Sequence, residues 1–144
     1  MRATLLCLVA LLVVPYVDAA PAPAPGLKAK EKLRALKKRL PAVLERWVKE
    51  RKVGHPFTYT PVLRRVRAIG VAEAKVVVHL HLRDDHGKVS DSAEYMLTVY
   101  LTYYDGLWTA VRFQWSYPDI HKINDNWTDA AHFLMDAIDE AAEK

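Results

Sequence analysis

From Lys75 to Tyr117 apolar and polar residues alternate in three runs, broken at Asp84-Asp85-His86-Gly87-Lys88 and again at Tyr104-Asp105-Gly106. Alternation with period two sorts side chains onto the two faces of a sheet, and the breaks are turn residues. A chain written this way must form an antiparallel sheet with one apolar face, and that face needs a cover. A strand at 57–68 precedes the three runs at 75–83, 93–103 and 107–117. Pro61 cannot donate to a ladder, so the first strand belongs at an edge or carries a bulge. Short connections make a four-stranded antiparallel meander the expected topology.

Two registers are open to the last hairpin. A two-residue Asp-Gly loop pairs Leu97 with Gln114 and Val99 with Arg112. A three-residue loop with Gly106 in the left-handed position pairs Leu97 with Phe113 and Val99 with Val111. A slip of one residue turns every side chain to the other face, so the apolar pattern selects the three-residue loop. The expected core face then carries Val76, Val78, Leu80, Leu82, Tyr95, Leu97, Val99, Leu101, Tyr103, Leu107, Val111, Phe113 and Trp115. The opposite face holds His79, His81, Arg83, Thr98, Tyr100, Thr102, Tyr104, Trp108, Arg112 and Gln114.

Helices supply the cover. Leu33, Leu36, Leu40, Val43/Leu44 and Trp47 recur at steps of three and four, which makes one stripe on a helix. Pro41 removes one N–H and crowds the carbonyl four residues back. The stripe keeps phase across it, so the sequence predicts a kinked helix or two helices meeting at Leu40-Pro41. Val53-Gly54-His55-Pro56 supplies the stop. Trp127, Ala130/Ala131, Leu134, Ile138 and Ala141 make a second stripe near the carboxyl end. The fold class expected is α+β: a kinked amphipathic helix, a four-stranded meander and a final helix, with both helices on one sheet face.

Charge is unevenly placed. Residues 28–52 hold eleven basic side chains against three acidic ones, a net of +8. Residues 53–144 hold nine basic and thirteen acidic, a net of −4. Such asymmetry points either to an anionic partner or to pairing of the basic helix with the acidic final one. The first alternative names Lys30, Arg34, Lys37, Lys38, Arg39, Arg46 and Lys49 as an anionic-surface site for membrane, lipopolysaccharide or acidic polysaccharide.

Residues 1–19 have the plan of a secretory leader. Met1-Arg2 is followed by the apolar run Ala3–Val14, which as a helix rises about 18 Å against a hydrocarbon core of about 30 Å. Small residues in Val17-Asp18-Ala19 place the cut after Ala19. The only cysteine, Cys7, would leave with the leader. The single domain at 26–144 would then be disulfide-free and secreted, standing on packing alone. Residues 20–25 read as a stiff Ala-Pro tail or pro-segment without core contacts.

Other candidates are fewer. His79, His81, Tyr100, Tyr104, Trp108 and Arg112 form an aromatic-basic sheet face suited to a small molecule or a protein. Two histidines on one strand fall short of a metal site, and no cofactor is implied. Asn126-Trp127-Thr128 is a glycosylation acceptor sequence. There is no G-x-S-x-G, no H-E-x-x-H and no phosphate-cradling Gly loop, so no enzyme is inferred. Secretion argues against nucleic acid as partner, no segment is long enough to span a membrane, and the oligomeric state is open.

The order helix, four antiparallel strands, helix resembles that of crustacean anti-lipopolysaccharide factors. Those proteins close a basic hairpin with two cysteines, whereas the chain after the leader has none. The cystatin layout, a helix on an antiparallel sheet, is also similar, but the Gln-x-Val-x-Gly motif is not found here. Both likenesses are of topology and assign no residue a role. The function expected is a secreted, non-enzymatic protein that binds anionic surfaces, in a defensive setting those of microbes. The alternatives are a binding module acting through the aromatic sheet face and an extracellular matrix component.

Overall fold

The computed structural model describes residues 24–50, 59–84, 86–117 and 125–143. The expected leader at 1–19, the expected helix stop at 53–56 and the side chains of 125–128, Asn126 included, lie outside the described residues. Helix α1 (Leu27–Glu50) is followed by β1 (Tyr59–Ala68), β2 (Glu73–Arg83), β3 (Val89–Tyr104), β4 (Leu107–Tyr117) and helix α2 (Asp125–Glu143). The strands form one antiparallel sheet in the order β1-β2-β3-β4. The architecture is α+β, as the pattern of periods required. Pro61 lies in β1, at an edge. No helix of the described residues is long and apolar enough to cross a membrane.

Both helices pack against one sheet face. The stripe Ala29, Leu33, Leu36, Leu40, Val43 and Leu44 is buried against Val76, Val78, Leu80, Leu97, Val99 and Leu101. Ala130, Ala131, Leu134, Ala137, Ile138 and Ala141 of α2 complete the core. α1 runs through Pro41 as one helix. Proline in a helix interior costs about 3 kcal/mol, but it removes only the hydrogen bond to the Lys37 carbonyl. Pro41 is exposed, whereas Leu36, Leu40, Val43 and Leu44 are buried on both sides of it. Burial of each such side chain contributes about 1.5–3 kcal/mol, which outweighs the loss. Pro25, at the end of the stretch expected to avoid the core, is buried.

The β3–β4 hairpin overturns the three-residue loop. Tyr104 pairs with Leu107, and Asp105 and Gly106 both have positive φ, 51° and 77°. That is the two-residue turn that Asp-Gly favours. Leu101 pairs with Ala110 but Tyr100 with Arg112, so Val111 is an extra residue on β4. Beyond this bulge Val99 pairs with Phe113 and Leu97 with Trp115, which returns the aromatic rings to the core face. Before it, the faces are inverted relative to expectation. Trp108 pairs with Tyr103 and is buried, 1% exposed, whereas Val111 is 53% exposed. A second bulge, at Glu94, lies between the pairs Leu80–Tyr95 and His81–Ala93. Past it His81 is 4% exposed and Leu82 40%, the reverse of simple alternation.

Asp139 of α2 accepts the Ala110 N–H at 2.7 Å, next to the β4 bulge. Burial holds its carboxyl above the ordinary carboxylate range, and Asp136 and Glu143 add to the rise, while the Ala110 bond opposes it. A raised folded value means the native state binds more protons in that window. Stability therefore falls as pH rises through it. Asp139→Asn keeps an acceptor for Ala110 and removes the charge, so its melting temperature at pH 7 should equal or exceed that of the wild type. Asp139→Ala strands the N–H and should cost about 1–2 kcal/mol. Thermal melts of the two variants check this, and an Asn variant weaker than the Ala variant contradicts it.

Candidate functional site

Once its stripe is buried, α1 presents a cationic outer side. Lys30, Arg34, Lys37 and Lys38 stand at i, i+4, i+7 and i+8, so they share a helix side, and all four are exposed. The first and last are about 12 Å apart along the axis. Among the described residues none of the four has a carboxylate within ion-pair distance.

The other three residues expected at this site are engaged differently. Arg46 pairs with Glu50 at 3.7 Å and with Glu140 of α2, which also accepts the Trp47 indole N–H. Lys49 pairs with Glu45 at 2.9 Å and holds that carboxyl below its ordinary range. Arg39 is half-buried, and its buried Nε has no hydrogen-bond partner among the described residues. Lys32 donates to the Gly106 carbonyl at the hairpin tip. Arg46 is thus paired with the acidic helix, whereas Asp129, Asp136 and Glu143 are exposed and, among the described residues, make no ion pair with α1. The site narrows to Lys30, Arg34, Lys37 and Lys38.

The sheet's other face carries no helix among the described residues. Its middle rung is read directly from the pairing: Arg67 opposite Lys75, Lys75 opposite Tyr100, Tyr100 opposite Arg112. The Arg112 guanidinium sits 3.6 Å from the Tyr100 ring centroid. The next rung runs Arg65, Val77, Thr98, Gln114. Arg67 and Lys75 are like charges directly opposite each other, an arrangement that destabilises a sheet. No carboxylate pairs with Arg65, Arg67, Lys75 or Arg112 among the described residues.

The aromatic-basic face expected from sequence is therefore re-drawn. Tyr100 and Arg112 lie on it in contact, and Tyr104 is 79% exposed at the hairpin end. Trp108 does not lie on it: it is on the core face, and its indole N–H donates to the Ala29 carbonyl at 2.9 Å. The His79 and His81 rings are 6.4 Å apart. His81 is buried with Nδ1 2.9 Å from the Ser90 carbonyl. Burial, then Arg64 and His81, lower the His79 pKa, which favours the neutral imidazole. Among the described residues no three His, Cys, Asp or Glu side chains gather as metal ligands. Asp84 accepts the His86 and Lys88 N–H groups at 2.9 and 2.8 Å and so shapes its turn. Arg65, Arg67 and Lys75 were not singled out from sequence. Lys75 shares the parity of His79 and His81 on β2, whereas the parity of Arg65 and Arg67 becomes visible only with the β1 bulge at Arg64, between the pairs Leu63–Val78 and Arg65–Val77.

Space for a small ligand under the helices is slight. The cavity lined by Val48, Pro61, Leu80, Ala130, Phe133 and Leu134 is about 10 Å³. A larger cleft of about 410 Å³ opens between α1 and β1–β2 at Pro41, Lys49, Thr60 and Arg83. No protein-family model matches the chain, and no curated protein or solved structure matches it closely enough to count.

Proposed function

We propose that this chain is a secreted, non-enzymatic protein that binds anionic surfaces through α1. The observation that carries this is the exposed row Lys30, Arg34, Lys37 and Lys38 without carboxylate partners. Secretion rests on the leader-like residues 1–19. In a defensive role the surface would be a microbial envelope.

The fold limits the mode of attachment. An amphipathic helix enters a bilayer with its apolar face, but Leu33, Leu36, Leu40, Val43 and Leu44 are already in the core. What remains for a surface is the cationic row with the exposed Leu27 beside it, too little apolar area to insert a helix, so α1 adsorbs at headgroup level. Co-sedimentation with phosphatidylglycerol and with phosphatidylcholine vesicles at low salt tests the proposal. Binding to the first and not the second is expected. Equal binding to both, or to neither, contradicts it.

A further inference from the structure

We infer that the rung Arg67–Lys75–Tyr100–Arg112 is a second contact for an anionic membrane, on the side of the molecule opposite α1, so that the protein bridges two such surfaces. This rests on the α1 proposal for the first contact.

The placement follows from the layers. The α1 row is exposed to solvent and not to the sheet: at 3.6 residues per turn Lys38 lies nearly opposite the buried stripe, Arg34 about 130° from it, and Lys30 and Lys37 about 90° and 70°, on the helix flank. The rung is on the other sheet face, since Ala74, Val76, Leu101 and Val99, its chain neighbours along β2 and β3, point into the core. One helix layer and one sheet layer separate the two sets of charges, roughly 20 Å with their side chains. That is more than two Debye lengths at physiological salt, where the length is about 8 Å. Each set therefore acts on its own surface.

The occupant follows from charge and shape. Adjacent strands lie about 4.8 Å apart, so Arg67, Lys75 and Arg112 span about 14 Å of nearly flat face. A shallow recess beside the rung, at Glu73, Tyr100, Thr102 and Arg112, is about 310 Å³. A second copy is disfavoured, because a two-fold contact would set three cations against three. Glu73 lies on this face, paired in register with Thr102 one same-face step from the Lys75–Tyr100 pair, and forms no ion pair among the described residues. The uncompensated Arg67–Lys75 opposition weakens the isolated sheet and is relieved when an anionic surface covers it. The Arg112 guanidinium, held over Tyr100, is already oriented and loses little freedom on contact.

The experiment reads binding and bridging from the same tubes. Purified protein is mixed with phosphatidylglycerol vesicles; co-sedimentation reports binding and light scattering reports vesicle aggregation. The wild type should do both. The Arg67→Gln/Lys75→Gln/Arg112→Gln variant should bind within about threefold of wild type, because the α1 row is intact, and should lose aggregation. Lys75→Glu gives Arg67 an opposite charge, so it should melt no lower than wild type while aggregating vesicles less. Wild-type binding without aggregation, or undiminished aggregation by the triple variant, overturns the inference. Absence of any sedimentation overturns the α1 proposal and bridging with it.

Discussion

Trp108→Ala should lower the free energy of unfolding by about 3–5 kcal/mol, the range for removing a large aromatic from a core. The indole is 1% exposed, lies 5.1 Å from the Tyr103 ring and donates to the Ala29 carbonyl. It therefore fastens the start of β4 to the first turns of α1. Domains of this size hold about 5–15 kcal/mol in all, so the variant should unfold at far lower urea. Trp108→Phe separates packing from the hydrogen bond: it keeps most of the apolar volume, loses the donor, and should cost less than the Ala change. The alternative placement, on an open ligand face, would leave the urea midpoint of Trp108→Ala nearly unchanged. Equilibrium urea curves of the two variants distinguish these outcomes.

The second large effect concerns binding. Changing Lys30, Arg34, Lys37 and Lys38 together to Gln should weaken attachment to phosphatidylglycerol vesicles by about tenfold to 10³-fold. Each cation near an anionic leaflet contributes about 1 kcal/mol, which sets the upper end for four of them. The sheet rung supplies a residual attraction, which sets the lower end. Arg46→Gln/Lys49→Gln is the matched control. Those two cations are paired with Glu50, Glu140 and Glu45, so each leaves a carboxylate behind and contributes less field at a surface. The fold tolerates the quadruple change, since all four side chains are exposed and unpaired. A loss under about twofold on vesicles, with the control equally weakened, would move the contact away from this row.

The parts of the fold that follow a single period were legible in the sequence. The α1 stripe, the core residues Val76, Val78, Leu80, Leu97, Val99 and Leu101, and the meander order all follow from period 3.6 or period two. What failed was parity across β4. Trp108 and the pair Phe113, Trp115 have opposite parity, so no unbroken strand buries all three. The sequence offered Asp105-Gly106 as a two-residue turn and Phe113 and Trp115 as core residues. Only a bulge reconciles these, and the Val111 bulge does. Choosing a longer loop satisfied the second condition and sent Trp108 to the wrong face. The bulge at Arg64 hid the basic rung in the same way, because Arg65 and Arg67 could not be given a face until the extra residue was located.

The candidate site was legible in outline and too broad in detail. Charge counting along 28–52 found the basic helix but weighted the seven cations it named alike. Side-chain packing separates Arg46, Lys49 and the half-buried Arg39 from the free row. Such pairings join residues up to 94 positions apart, as Arg46 and Glu140 are, and no local pattern encodes them.

The central claim is that α1 holds an anionic surface by charge alone, its apolar stripe being spent in the core. Binding of the purified protein to phosphatidylglycerol vesicles across a salt series tests this most directly. At 1 M salt the Debye length is about 3 Å, so electrostatic attachment should fall steeply and release the protein. Trp108 and Trp115 are already buried and Trp47 is half-buried, so attachment by charge should leave the emission of these three unchanged. Retention on vesicles at that salt with a blue-shifted emission would show insertion, and would contradict the claim.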